Sequence, residues 1–182
     1  MALKLTTSYL EDARSLLRYY QSLAERAMEQ VTDQDLVAVL DGEMNSIAVI
    51  VKHMVGNMRS RWTDFLTSDG EKPDRDRESE FRDPAVSRAT LVREWTDGWA
   101  LVFRALDPLT EADLGRTVTI RGEAHSVLQA ISRQLAHYAY HCGQIVFLAK
   151  HFQHDRWKSL SVPRGQSVPF TEAVRKGDAS QR

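Results

Sequence analysis

The chain has 182 residues, with 24 Lys and Arg against 25 Asp and Glu, so its formal net charge is -1. The hydrophobic fraction of 42% and the charged fraction of 27% are typical of a soluble globular protein, and the length corresponds to one domain. The balanced charge, without a stripe of basic residues, argues against nucleic-acid binding. The longest apolar runs, such as residues 47–51 and 145–149, are too short to span a membrane, so no membrane association is expected.

The cysteine content and the N-terminus both predict a cytoplasmic protein. One cysteine, Cys142, cannot form an internal disulfide, and a thiolate metal site needs two or more. Residues 1–10 lack the apolar run of a secretory signal.

The first segment predicted to be helical begins at Ser8. Ser8 and Glu11 have the spacing of a capping box, in which two side chains accept hydrogen bonds from exposed N–H groups of the first turn. Apolar residues then recur at steps of three and four as far as Val31, which is typical of an amphipathic helix. Residues 32–41 are predicted to form a polar connection with a short apolar patch.

A second helix is predicted to open at Asn45 or Ser46 and to end near residues 68–70. The composition then changes sharply, because residues 71–80 contain almost no apolar side chain. Such a segment has nothing to bury, so we expect a solvated loop without a chemical role.

The third helix is predicted to enter at Asp83-Pro84, with Ser87 as the competing cap, and to end at residues 107–108. Apolar and polar residues then alternate between residues 117 and 125, before and around a Gly-containing turn. This period of two predicts a small β-hairpin.

The fourth helix is the longest, opening at Ser126 with Gln129 at capping-box spacing and running to about Phe152. Four long amphipathic helices are most simply buried against one another. We therefore predict an all-α fold, an antiparallel four-helix bundle with a small hairpin before the last long helix. We assign the bundle domain to residues 1–168 and a polar C-terminal tail to residues 169–182.

Three of the six histidines are candidates for a metal site. His137 and His141 are four residues apart in the fourth helix, so both project from one face, and His53 flanks the apolar stripe of the second helix. Two helices of one bundle can thus direct three imidazoles at one point and leave an open coordination position, as catalytic zinc sites do. The alternative is that they are polar residues on the flank of the bundle, because such a pair also arises by chance.

Several polar residues could support these histidines. Asn57 lies one turn beyond the histidine of the second helix, and Gln134 and Gln144 are each three residues from a histidine of the fourth. Each could orient an imidazole or contact a ligand. Arg121 and Arg133 could bind an anionic group of a substrate, because a guanidinium offers a fork of donors. In every case the alternative is an exposed polar side chain.

The remaining candidates are assigned no chemistry. Cys142 lies within the apolar stripe of the fourth helix and is expected to be a buried structural thiol. His125, His151 and His154 are expected at the surface. No Asp or Glu has the spacing of a His-Glu-x-x-His motif, so the catalytic residues are left unassigned.

Three stretches of sequence carry a resemblance to a known family. They are Asn-Ser-Ile-Ala at 45–48, Arg-Gln-Leu-Ala-His-Tyr-Ala-Tyr-His-Cys-Gly-Gln-Ile-Val-Phe-Leu-Ala-Lys at 133–150, and Trp-Lys-Ser-Leu-Ser-Val-Pro-Arg-Gly at 157–165. With one histidine in the second helix, they resemble a bacterial subfamily of unknown function within the DinB/YfiT-like superfamily of metal-dependent four-helix-bundle proteins. The resemblance covers about residues 8–168.

The resemblance implies a divalent ion, most commonly nickel or zinc, held by His53, His137 and His141, and it implies a homodimer. Some members of the superfamily resemble transferases or isomerases in which the metal lowers the pKa of a low-molecular-weight thiol, and others are expected to hydrolyse their substrates. We therefore expect metal-dependent S-transfer or hydrolysis of a small molecule. The alternatives are a stress-response or binding module whose metal is structural or absent, and a plain helical interaction protein.

Overall fold

A computed structural model of the chain describes residues 5–82 and 87–180. The described part is mainly helical, with one hairpin of two strands. Two short 3-10 turns occur at Glu111–Asp113 and His154–Arg156. The helices and strands are α1 (Tyr9–Met28), α2 (Asp33–Val37), α3 (Ile47–Trp62), α4 (Arg77–Glu80), α5 (Arg88–Leu106), β1 (Thr117–Ile120), β2 (Glu123–Ser126), α6 (Val127–Gln153) and α7 (Ser167–Lys176).

The four long helices α1, α3, α5 and α6 pack into one bundle around an apolar core. Helices α1 and α6 run in the same direction. At one end the Tyr9 hydroxyl donates to the Leu128 carbonyl, and beyond the other end Gln30 Nε2 donates to the Lys158 carbonyl.

Helices α3 and α5 run in the opposite direction. At the start of α5, Arg88 donates to the Met28 carbonyl at the end of α1, while Arg14 near the start of α1 donates to the Leu106 carbonyl at the end of α5. The predicted antiparallel bundle is therefore confirmed, with two helices in each direction. The long connection over residues 63–87 returns the chain to the end where α3 began, which makes α5 parallel to α3.

The helix caps follow the sequence closely. The hydroxyls of Ser8, Ser46, Ser87 and Ser126 each accept a backbone N–H in the first turn of the helix that follows, and Ser126 does so within a complete capping box. The predicted entry of the third helix at residues 83–84 lies outside the described residues, and the competing cap, Ser87, is the one observed.

Helix α3 ends earlier than predicted, at Trp62 rather than near residues 68–70. Asp64 takes a positive φ of 50°, which a helix cannot continue through, and its carbonyl accepts the N–H groups of Thr67 and Ser68 in a tight turn. The apolar residues that follow Trp62 had extended the helical pattern beyond this point.

The charged segment 71–80 is not the solvated loop that its composition predicted. Its last residues form α4, Glu80 is buried, and the Arg75 side chain is only 5% exposed. Arg75 pairs with Glu80 and also with Glu71, so the segment buries charge by pairing its own opposite charges.

The predicted hairpin is confirmed, and it is hydrogen-bonded to the segment that follows α3. Strands β1 and β2 pair with Thr117 opposite Ser126 and Ile120 opposite Glu123. The two residues of the turn, Arg121 and Gly122, both have positive φ, and their N–H groups donate to the Asp69 carboxylate over 2.8 Å each.

The region after α6 contains more structure than the polar tail predicted there. Helix α7 covers Ser167–Lys176, has no buried residue and stops at Gly177, whose φ of 82° ends it in the left-handed conformation. Over the described ranges 5–82 and 87–180, the helices are too short or too polar to cross a lipid bilayer.

Candidate metal centre

Three imidazoles from α3 and α6 meet at one point in the bundle. Nε2 of His137 lies 3.3 Å from Nε2 of His53 and 3.0 Å from Nε2 of His141. The three ligand atoms all lie within 4.8 Å of one another. The two helices therefore bring these three residues together, as the sequence predicted. We call His53, His137 and His141 the three-histidine cluster.

Hydrogen bonds at the far side of two rings fix which nitrogen carries the proton. Nδ1 of His53 donates to Oε2 of Glu80 over 2.9 Å, and Nδ1 of His141 donates to Oε1 of Gln144 over 2.8 Å. Because a carboxylate and an amide oxygen accept only, both Nδ1 atoms must carry hydrogen. In the neutral rings each Nε2 then presents a lone pair toward His137.

Burial keeps two of these rings neutral. Burial lowers the pKa of His137 to about 3, assisted by the nearby His141 and His53. Burial likewise lowers the pKa of His141 to about 4, although its hydrogen bond to Gln144 acts in the opposite direction. At neutral pH the rings of His137 and His141 are therefore uncharged.

The geometry of the cluster fits a divalent metal ion. Two imidazole nitrogens on one tetrahedral zinc ion are roughly 3.3 Å apart, because each Zn–N bond is about 2.0–2.1 Å long. The separations of 3.0 and 3.3 Å around His137 are close to this value. Neutral imidazoles with converging lone pairs suit zinc and nickel alike, so the donor set does not select the metal.

A buried carboxylate supports His53 from the segment that the sequence had predicted to be solvated. Glu80 accepts from His53 on one side and from Nε and a terminal nitrogen of Arg75 on the other, over 2.8 and 2.9 Å. Burial by itself would raise the pKa of Glu80, but the hydrogen bonds from His53 and Arg75 outweigh it and hold the pKa below its usual value. A carboxylate that orients a ligating imidazole is a common support of metal sites.

Two further residues complete the surroundings of His53. The ring of Phe81 lies against the imidazole at a tilt of 32°, with centroids 4.9 Å apart, and Gly56 of α3 leaves the space that the Glu80 side chain occupies. Sequence reasoning missed Glu80, Arg75, Phe81 and Gly56. The available signal was the alternation of acidic and basic residues over 71–80, which permits internal pairing as well as solvation.

The supporting residues proposed from sequence fall in different places. Gln144 contacts a histidine of the cluster directly, as described above. Asn57 is buried and lines a cavity beside the cluster, which is described below. Its Oδ1 accepts a hydrogen bond from the hydroxyl of Tyr138, and that hydroxyl accepts one from the indole N–H of Trp62. Gln134 is buried beside the cavity, and its Oε1 has no hydrogen-bond partner within the described part of the chain.

A cavity of about 650 Å³ opens beside the cluster. His53 and His137 lie in its wall, so the three-histidine cluster is accessible from it. Arg121 and Arg133 line the cavity too, and both are exposed. The structure thus brings the two predicted arginines to the same opening as two of the histidines.

The residues to which no chemistry was assigned lie elsewhere. Cys142 is fully buried in the core, and burial raises the pKa of its thiol to about 12. His151 and His154 are exposed at the end of α6, and His125 lies in the hairpin, where its Nδ1 contacts the carbonyl of Glu123.

Comparison with known proteins assigns the chain to a family. A search of curated proteins finds no match for the chain. The family model described as "Protein of unknown function (DUF1572)" matches residues 4–166, which is most of the chain. On this match the chain belongs to the DUF1572 family of proteins of unknown function.

Proposed function

We propose that this protein is a metal-dependent enzyme of the DinB/YfiT-like type that holds nickel or zinc on the three-histidine cluster and acts on a small molecule. The observation that carries this proposal is the convergence of three Nε2 atoms within 4.8 Å, two of them fixed as lone-pair donors by Glu80 and Gln144. Three neutral ligands would not reduce the positive charge of the ion, and they would leave one coordination position open toward the cavity.

The bound ion would act as a Lewis acid and lower the pKa of a thiol or water molecule placed in the open position. Other residues of the chain orient the ligating imidazoles. Glu80 fixes the ring of His53, Gln144 fixes that of His141, and burial keeps the rings of His137 and His141 neutral.

Thiol transfer is favoured over hydrolysis. A hydrolase commonly uses a free carboxylate or imidazole as general base beside the metal. Glu80, the carboxylate that contacts the cluster, is already bound by His53 and by two nitrogens of Arg75. A thiol needs only to lose its proton to become a strong nucleophile, which metal binding alone can achieve.

The first test is the metal content of protein purified without chelators or a His-tag. Elemental mass spectrometry should find close to one nickel or zinc per chain in the wild type and none in His137→Ala. His125→Ala is the matched control, because His125 lies in the hairpin, and it should retain the metal. Absence of metal from the wild type, even after incubation with zinc or nickel, would leave a helical interaction module.

The second test separates a catalytic from a structural metal. Cobalt-substituted protein is titrated with N-acetylcysteine, and binding of the thiolate should produce a sulfur-to-cobalt charge-transfer band at a pH well below the pKa of the free thiol. A protein that holds cobalt but shows no such band would instead be a binding or stress-response module with a structural ion.

We also propose that the protein forms a homodimer through the exposed side of α6. Tyr140 and Phe147 are seven residues apart on this helix and are 58% and 60% exposed. Aromatic side chains are enriched at protein interfaces. Light scattering should give the mass of a dimer, and Phe147→Lys should give the mass of a monomer with unchanged metal content.

A further inference from the structure

The cavity beside the three-histidine cluster is rich in arginine. Five guanidinium groups line it, and the described residues that form its wall include no carboxylate. The five are Arg61, Arg75, Arg77, Arg121 and Arg133.

Two of these arginines are fixed at the floor of the cavity. Arg75 is held by Glu80 and Arg61 by Glu71, with both Arg61 terminal nitrogens 3.0 Å from the same carboxylate oxygen. Their side chains are 5% and 10% exposed, and because each is paired with a carboxylate, they offer a ligand less free charge than the arginines at the rim.

The other three arginines stand at the rim with donors to spare. The side chain of Arg133 makes no hydrogen bond or ion pair with any residue of the described ranges. Arg121 contacts Glu71 through Nε alone and is 60% exposed. Arg77 has a 3.6 Å contact to an exposed glutamate and lies over the ring of Phe81, 5.0 Å from its centroid. Terminal guanidinium nitrogens are therefore available to a ligand in the cavity.

A guanidinium binds carboxylate and phosphate groups through paired hydrogen bonds, and the terminal nitrogens of Arg133 and Arg121 have no acceptor among the described residues. We propose that the small molecule processed at the three-histidine cluster carries a carboxylate or phosphate group, which Arg133, Arg121 and Arg77 bind at the rim of the cavity. This inference rests on the proposed function, because it assigns the substrate class of the same site. The anionic group at the rim directs the rest of the molecule toward His53 and His137.

Titration calorimetry with succinate and with methyl phosphate tests this proposal on the protein as purified and after chelation. We expect binding in both forms, because the rim arginines are separate from the metal ligands. Arg133→Gln should weaken binding by at least about tenfold, since it removes a charge-assisted contact. Arg121→Asn should act similarly, and asparagine tolerates the positive φ at this position. The anion that binds more tightly identifies the group.

Arg93→Gln is the matched control, because Arg93 is an exposed arginine on α5 outside the cavity, and it should bind both anions like the wild type. Failure of both anions to bind at millimolar concentration would overturn the inference. It would also be overturned if neither rim variant weakened binding more than Arg93→Gln. Loss of metal in His137→Ala with anion binding retained would be expected. A wild type that binds the anion but no metal would overturn the proposed function and leave the anion site standing.

Discussion

A Cβ atom on Gly56 would lie 2.6 Å from Cδ of Glu80, so the carboxylate that orients His53 occupies the space of a missing side chain. Glu80 cannot simply swing away, because Arg75 holds both of its oxygens. A glycine within α3 costs helix stability, and here it makes room for the carboxylate that supports a candidate metal ligand.

Replacing Gly56 by alanine should therefore displace the Glu80 carboxylate from His53. We expect the affinity for zinc to fall by about tenfold or more, as it does when a ligating histidine loses its orienting partner. Competition with a chromophoric chelator measures this affinity. Gly143→Ala is the control, because Gly143 is also helical and has open space around its Cβ position, so it should raise stability by about 0.5–1 kcal/mol. Equal zinc affinities in the two variants would contradict the assigned role of Glu80.

The negative charge of Glu80 can be removed without changing the shape of its side chain. Glu80→Gln keeps the volume but loses the charge that His53 Nδ1 and Arg75 require, so zinc affinity should fall roughly 10–100-fold. Glu78→Gln is the matched control on the same short helix, since the side chain of Glu78 is 81% exposed, and it should bind zinc normally. An unchanged affinity in Glu80→Gln would mean that His53 is positioned by packing alone.

The hydroxyl of Tyr138 links α6 to α3 inside the core. It accepts the indole N–H of Trp62 over 2.8 Å and donates to Asn57 Oδ1 over 3.1 Å. Tyr138→Phe leaves two buried polar groups without a partner, so the free energy of unfolding should fall by about 1–3 kcal/mol in urea denaturation. Tyr140→Phe, at an exposed position on the same helix, should leave it unchanged. A similar stability for both variants would contradict the buried network.

The link between Asp69 and the hairpin predicts a pH dependence of stability. Backbone N–H groups of Glu71, Gly122 and Arg121 lower the pKa of Asp69 from 3.8 to about 2. A carboxyl group whose pKa is depressed in the folded state stabilises that state above its unfolded pKa and loses this contribution as the pH falls through the folded value.

We therefore expect Asp69→Asn to be less stable than the wild type at pH 7, and the difference should shrink as the pH falls from about 4 to about 2. Urea denaturation of both proteins over this range measures it. Asp97→Asn, an exposed substitution on α5, serves as the control for a general change of charge. A difference between wild type and Asp69→Asn that stays constant across the range would show that the carboxylate charge does not hold the hairpin turn.

The sequence predicted the bundle because helix caps and apolar stripes are local signals. Ser46 and Ser126 each cap a helix through contacts within four residues, and the spacing of His137 and His141 follows from one helical turn. The proximity of His53 to them depended on which faces of α3 and α6 meet, and the apolar stripes indicated those faces.

The support of the cluster by Glu80 could not be predicted in the same way. Composition alone does not distinguish a solvated charged segment from one whose charges pair with one another and with a buried imidazole. Arg75 is separated by five residues from Glu80, and Glu80 contacts His53 of α3 from a connection without an apolar pattern. The direction of that connection depends on tertiary contacts that have no signature in a single sequence.

The histidines of the candidate metal centre are far apart along the chain. His53 and His137 are separated by 84 residues, a stretch that includes the whole of α5 and the hairpin. An ion shared between them would close this large loop, much as a crosslink does, in a chain whose one cysteine cannot form an internal disulfide. The melting temperature would then report the free metal concentration around the protein, with each tenfold rise above the dissociation constant adding about 1.4 kcal/mol to the free energy of unfolding.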